Sequence, residues 1–373
     1  MNSEYQMLAE LQDPFLFEDG SRVATAEDWR RRRDEIARSI IDIEYGGLPP
    51  VPKGLRVEKL HTLQLDIPAE WTYTQYRLVL EEYPAFHFRL DVLVPARDEP
   101  VPVVLTGDGC WCYVTDEVSA NVIGRGFALA VFSRTEIAPD IYNNDRDTGL
   151  YPAYPEHSFG ALAAWAWGYH RAIDALEQIE GVDATRVAIT GHSRGGKTTL
   201  LAGATDERIA VTNCNGSGAG GAGSFLYLGP ECEKLADGMR GAPYWYGPKF
   251  HEYANRETEL PFDQHFLKAM VAPRALLDTE GLDDLWSNPV GAMQTQLAAK
   301  EVYRFLGATD RIGQVYRPGG HDHGPEDWRA FLDFAQWHLQ GIEPSRAFDA
   351  PFDKNPFADM KPAFSWEAPR GIS

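Results

Sequence analysis

The chain has 373 residues, 44% hydrophobic and 24% charged, proportions that allow a large buried core. Its 35 Lys and Arg are outnumbered by 55 Asp and Glu, for a formal net charge of −20 at pH 7. Such a surface repels phosphate backbones and anionic lipid, so no nucleic-acid or membrane partner is expected, and an anionic substrate would need a local basic patch.

The opening segment "MNSEYQMLAELQDPFLFEDG" has no basic start and no apolar run of signal-peptide length. No 18-residue apolar segment follows. The expectation is a cytoplasmic protein, or a secreted one if a leader has been removed. "TAEDWRRRRDEIARSIIDIEYGG" reads as the first helix, capped by Thr25 with Asp28 three residues on and closed by Gly46-Gly47. The run Arg30 to Arg33 reads as a solvated face. "LRVEKLHTLQL", "TYTQYRLVLE" and "HFRLDVLVP" alternate as an antiparallel meander. "VPVVLTGDG" (101–109) and "GFALAVFS" (126–133) are continuous apolar runs, as buried strands require.

From there strand, turn and helix repeat. "SFGALAAWAWGYHRAIDALEQIEG" (158–181) is a helix with Ser158 as its cap, Gly181 at its end and Trp165 and Trp167 in the core. "RVAIT" (186–190) is a strand running into a helix at "KTTLLAGAT". "IAVTNCNGSGAGG" and "APRALLDTEG" (272–281) are strands ending in turns. Helix 290–307, strand 312–320 and helix 325–341 close the series, and a Pro-rich tail is expected over the surface. The order predicts a parallel sheet covered on both faces, with ligands at the carboxyl ends of its strands. The cysteines, Cys110, Cys112, Cys214 and Cys232, are too few for a disulfide scaffold and lack zinc-ligand spacing, so free buried thiols are expected.

The stretch "VAITGHSRGGKTTLLAG" (187–203) carries the chemistry. Gly191, Gly196, Lys197 and Thr198 complete a formal phosphate-loop pattern, but no later strand ends in the apolar run plus Asp that would hold Mg²⁺. Gly191, His192, Ser193, Arg194 and Gly195 also satisfy G-x-S-x-G between a strand and a helix. There the serine is a nucleophile lifted from the sheet by a tight turn, and the Arg194 N–H points at a developing oxyanion. Such a fold needs acid and then base further along the chain. "EGLDDLWSNP" offers Asp283 and Asp284, and "GHDHGPEDW" offers His321 and His323, each after a strand. The order points to a serine hydrolase. His323 is expected to order its loop or face solvent, His192 to pack below the turn, and His265 to serve as a structural hydrogen-bonder.

"GHSRGGK" resembles the G-C-S-R-x-G-K signature of carbohydrate esterase family 15, the glucuronoyl esterases. "DPFLFEDGSRVATAEDWRRRRDEI", "FGALAAWAWGYHRAIDALE", "SGAGG", "YANRETELPFDQHFL", "DDLWSNPVG" and "HDHGPEDWRAFLDFAQWHL" are similar to segments of that family in the same order. The resemblance implies Ser193 as nucleophile, His321 as general base and Arg194 as oxyanion stabiliser through its side chain and N–H. It implies that Lys197 contacts uronate hydroxyls, that Trp286 packs on the sugar, and that Glu231 lies near the spacing of a sugar-binding glutamate. Many members carry the acid as Glu just before S-G-x-G-G, where this chain has Gly216. Asp284 then fits the family's alternative acid in G-x-x-D-x-W, with Asp283 next to be tested. The cysteine that precedes the serine in the family is His192 here, so a disulfide anchored there is lost.

The expected fold is an α/β-hydrolase: a three-layer αβα sandwich with a mostly parallel central sheet and N-terminal antiparallel strands. One domain would span 1–373, with a helical extension (1–54), a hydrolase core (55–341) and a surface tail (342–373). A monomer without cofactor or metal would cleave an ester of glucuronic or 4-O-methylglucuronic acid by acyl transfer, with a second oxyanion donor from the "TGDG" turn (106–109). The alternatives are a carbohydrate deacetylase or dienelactone-type small-molecule esterase, and a non-catalytic carbohydrate-binding relative.

Overall fold

The computed structural model of the chain describes residues 5–65, 70–111, 113–141, 146–348 and 360–370. Cys112 and part of the expected tail lie outside them. In chain order the elements are β1 (Gln6–Met7), α1 (Ala26–Ile43), β2 (Leu55–Leu65), β3 (Trp71–Leu80), β4 (His87–Pro95), β5 (Val101–Thr106), α2 (Asp116–Gly124), β6 (Ala128–Phe132), α3 (Arg134–Ile137) and α4 (Ala161–Leu176). They continue with β7 (Val182–His192), α5 (Arg194–Thr205), β8 (Ile209–Asn215), β9 (Tyr227–Leu228), α6 (Leu235–Gly241), α7 (Gln264–Val271), β10 (Ala275–Gly281), α8 (Pro289–Phe305), β11 (Ile312–Arg317) and α9 (Pro325–Gln340).

Nine strands form the main sheet in the order β11-β10-β8-β7-β5-β6-β4-β3-β2. From β11 to β6 neighbours run parallel, and β4, β3 and β2 continue antiparallel, as the meander predicts. Successive strand residues face opposite sides and so fill two cores. Val103, Leu105, Val187, Ile189 and Leu276 pack with α1, α4, α5, α7 and α8. Val104, Ala188, Val211 and Leu277 pack with α2 and α9. The result is the helix–sheet–helix sandwich of an α/β-hydrolase. The chain passes from β5 outward to β6 and then returns to β7 on the other side of β5. That reversal opens a crevice at the carboxyl ends of β5 and β7, where such sheets bind ligands.

Local chemistry accounts for several boundaries. Thr25 and Asp28 form a reciprocal capping box at the start of α1. Ser158 does not cap α4: Gly160 occupies that place, and the Ser158 hydroxyl donates to Gly46 O (3.1 Å). α4 ends at Leu176, and Gly181 (φ +82) instead turns the chain into β7. Nor is the arginine run of α1 wholly solvated. Arg32 is 8% exposed, and Arg33 donates to Met270 O (2.8 Å) and Ala204 O (2.9 Å), fastening α1 to its neighbours.

The tail lies mostly on the surface among its described residues, with two anchors. Phe348 and Ala363 are buried, Phe348 O accepts from Gln314 N (2.8 Å), and Trp366 Nε1 donates to Leu11 O (2.9 Å). Phe348 thereby satisfies the outer edge of β11, which would otherwise offer unpaired backbone groups. Among the described residues no helix is long and apolar enough to cross a membrane.

Candidate active site

At the end of β7 the backbone turns sharply. Ser193 holds φ +58 and ψ −123, a strained conformation for a non-glycine residue, and α5 begins at the next residue. The helix therefore starts at Arg194, not at Lys197 as the sequence had indicated. Glycines make the turn possible: a Cβ on Gly191 would lie 2.6 Å from Gly195 O, and one on Gly195 would strike the Asp108 carboxylate. Ser193 N donates to Asn215 O (2.9 Å), tying the turn to β8.

The strain lifts the serine hydroxyl toward the loops after β10 and β11. Ser193 Oγ lies 2.9 Å from His321 Nε2, and His321 Nδ1 lies 2.6 Å from Asp284 Oδ2. A hydroxyl, an imidazole and a carboxylate are thus in one relay. Asp283 is turned away, with its carboxylate accepting from Gly319 N (2.9 Å). Burial pushes the Asp284 carboxyl up, but hydrogen bonds from His321 and Ser287 outweigh it and hold the group below the usual carboxylate range. Ser287, unremarked in the sequence, is buried, with its Oγ 3.2 Å from both Gly216 O and His321 Nδ1. A Cβ on Gly216 would sit 3.4 Å from the His192 ring and 3.6 Å from Asp284 Oδ2, so position 216 borders the relay's carboxylate.

Asp108, from the turn after β5, lies beneath the elbow. Its carboxylate accepts from His192 N (2.8 Å) and pairs with the buried Arg134. Burial raises this carboxyl, against the pull of Arg134 and the His192 N–H. Two donors of the 106–109 turn, expected to offer an oxyanion N–H, are already engaged. Gly107 N donates to Tyr169 Oη (2.7 Å) and Asp108 N to Thr106 Oγ1 (3.2 Å).

The Arg194 N–H stands at the N-terminus of α5 beside Ser193, and its guanidinium is fixed. Arg194 donates to Asp140 Oδ2 (3.0 Å) and lies 4.9 Å from the Trp245 ring centroid and 5.6 Å from that of Trp111. Asp140 Oδ1 in turn accepts from Tyr244 Oη (2.9 Å) and Trp245 Nε1 (3.2 Å). Asp140 carries no motif, and only its packing reveals it.

Lys197 is 3% exposed. Its ammonium donates to Ala219 O in the glycine loop and to Glu233 Oε2 (3.1 Å), and stands 5.8 Å from the Trp245 ring centroid. The glutamate joined to it is therefore Glu233. Glu231 is exposed in a left-handed turn (φ +58). Trp286 is 53% exposed, and its carbonyl accepts from Glu233 N (2.9 Å), so its loop and the Glu233 segment are tied together. His323 is buried against Trp328 rather than solvated. Trp165 and Trp167 are core, and His265 is a buried partner of Gln12 O (2.8 Å).

A family model described as fungal glucuronyl esterase matches residues 79–307. The chain is similar to a 4-O-methyl-glucuronoyl methylesterase of Podospora anserina, 31% identical over 84% of this chain. It spans 64% of that relative's length. Among solved structures it is similar to a carbohydrate esterase family 15 glucuronoyl esterase from Caldicellulosiruptor kristjansonii, with TM-score 0.81, 32% identity, and 95% of this chain and 97% of that one covered. A serine-to-alanine glucuronoyl esterase from Sporotrichum thermophile, in complex with methyl 4-O-methyl-β-D-glucopyranuronate, aligns at TM-score 0.73 and 26% identity over 95% of each chain.

Proposed function

Because the chain belongs to the glucuronoyl esterase family, carbohydrate esterase family 15, we propose that it hydrolyses esters of glucuronic or 4-O-methylglucuronic acid through an acyl-enzyme on Ser193. The observation that carries this reading is the relay of Ser193, His321 and Asp284 at 2.9 and 2.6 Å, beside a buried Lys197 and a fixed Arg194.

His321 Nε2 takes the Ser193 proton as Oγ attacks the ester carbonyl. Asp284 keeps the proton on Nδ1 and stabilises the imidazolium. The carbonyl oxygen, now anionic, meets the Arg194 N–H at the positive end of α5 and the nearby guanidinium. His321 then gives its proton to the departing alkoxide, which leaves as the alcohol. Water enters, His321 takes one of its protons as the hydroxide adds to the acyl carbon, and His321 then returns that proton to Ser193 Oγ as the acyl–oxygen bond breaks and the uronic acid leaves. Lys197, Trp286 and the segment carrying Glu231 and Glu233 form the sugar side of the pocket in this reading. Two of the three Lys197 ammonium protons are already engaged, which leaves one for a sugar hydroxyl.

Free thiols at Cys110, Cys214 and Cys232 are compatible with a reducing compartment. The short Ser193–His321 contact argues against a non-catalytic relative.

Wild type and Ser193→Ala should be assayed on alkyl glucuronates and on acetylated sugars. Cleavage of the glucuronates by wild type alone is expected. Cleavage of acetates only would remove the uronate assignment, and full activity in Ser193→Ala would remove the mechanism. Asp284→Asn should lower kcat by roughly three to four orders of magnitude, since the amide favours the wrong imidazole tautomer.

A further inference from the structure

His321 forms the outer end of a column of rings. Its imidazole lies against His192 (centroids 4.4 Å apart, planes at 43°), His192 faces His323 (5.8 Å, 23°), and His323 stacks on Trp328 (4.9 Å, 16°). Tyr113 meets His192 edge-on (5.0 Å, 80°). His192 and His323 are 2% and 6% exposed, so the column below His321 is dry.

The orientation and proton of His192 are both determined. Its backbone is held by Asp108, and its Nδ1 lies 2.5 Å from Asn215 Oδ1. Asn215 Nδ2 donates to Thr279 Oγ1 (2.9 Å), so it is the amide oxygen that faces the ring. That oxygen can only accept, so the ring proton sits on Nδ1. Burial, then the neighbouring His321, push His192 down to about 4. Burial and then His192 push His323 well below its usual value. The other ionisable groups facing the column are Asp284 and Asp322 from the loops after β10 and β11, Asp108 and Tyr113 from the segment after β5, and Arg317 of β11.

We propose that His192 is a positioning residue for His321: a neutral ring of fixed tautomer that holds the catalytic imidazole in place and supports it while it carries positive charge. The proposal rests on the acyl-transfer reading above. His321 gains positive charge as it takes the Ser193 proton, so attraction between the forming imidazolium and a neutral ring within about 6 Å grows toward the transition state. A protonated His192 would repel the imidazolium instead, and its dry setting prevents that.

The test compares His192→Gln, which keeps a polar group near Asn215 but has no ring, with His192→Phe, which restores a ring but cannot donate to Asn215. Kinetics on an alkyl glucuronate are measured from pH 4 to 9. His192→Gln should lower kcat about tenfold with KM little changed, and should move the acid limb of kcat/KM toward lower pH by up to about one unit. His192→Phe should recover the wild-type limb. A wild-type limb in the Gln variant, or equal displacement in both, overturns the proposal, as does a fall in melting temperature without movement of the limb. Should the Gln variant not fold, NMR of ¹³C,¹⁵N-histidine-labelled wild type decides: His192 must remain the neutral Nδ1–H tautomer from pH 5 to 8, and an imidazolium in that range overturns the idea. Ser193→Ala assayed alongside separates the two claims, because its inactivity upholds the esterase reading whichever way the His192 variants fall.

Discussion

Asp140 and Arg194 show how much of this site depends on single contacts. The Arg194 guanidinium, beside Ser193, is half of an ion pair whose carboxylate side chain is 4% exposed and accepts from Tyr244 and Trp245. Asp140→Asn keeps the shape but removes the charge that anchors Arg194. It should lower kcat by about tenfold, less than the loss of a whole oxyanion donor, and leave KM nearly unchanged. Steady-state kinetics on an alkyl glucuronate check this, and an unchanged kcat would mean that Arg194 is held well enough by its two tryptophan rings. Ser193, His321 and the acidic pair at 283–284 were legible because strand, turn and helix order confines triad members to particular loops. Asp140, Asp108, Ser287 and Glu233 were not, because no spacing rule links them to the serine. Each earns its place through a contact between segments far apart in sequence.

At the level of elements, two loops converge on the carboxylate that meets His321. The loop after β10 supplies Asp284, and the glycine loop after β8 brings the Gly216 Cα so close that its missing side chain would meet the same oxygen. Asp284→Ala should abolish most turnover, and Asp284→Ala/Gly216→Glu should recover part of it. The recovery will be incomplete, because φ +50 at Gly216 strains any L side chain. A double variant no better than Asp284→Ala would show that a side chain at 216 cannot reach His321. Behind the site, α7 is joined to β10 by Lys268 and Asp278, both with fully buried side chains (2.8 Å). Beside them, burial first and then the charges of Asp278 and Asp284 push the Glu280 carboxyl well up. Lys268→Met strands Asp278 without its cation and should cost about 3–5 kcal/mol in chemical denaturation. A loss under 1 kcal/mol would mean that Asp278 simply takes up a proton.

Across the whole molecule, buried histidines tie stability to pH. His170, His192 and His338 are pushed down to about 4 and His265 to about 3, in each case chiefly by burial. The unfolded chain takes up these protons as pH falls through about 6.5, whereas the folded chain resists until about 4, so stability must drop across that window. Glu44 acts in the opposite sense: burial raises it to about 8, and its contribution is present below about 4.5 and lost as pH rises toward 8. His323 joins these histidines, and Asp206 and Asp284, held low by their partners, act in the same sense, whereas Asp108, Asp263, Glu280 and Asp327, also raised by burial, side with Glu44; the melting temperature should therefore climb from pH 4 to about 6.5 through the histidines and sag toward pH 8 through the raised carboxyls. Scanning calorimetry checks this, and a melting temperature that holds steady from pH 6.5 down to 4.5 would contradict it. At this same scale the sequence by itself determined the α/β-hydrolase architecture, the meander and the three loops that carry serine, acid and base, because hydrophobic periodicity and glycine turns are local properties of the chain. It could not choose between Asp283 and Asp284, find Asp140, or foresee Lys197 buried on Glu233, the tail on the edge of β11, or His192 stacked on His321. Those depend on which side chains from distant segments meet once the sheet has closed, and on how little water remains between them.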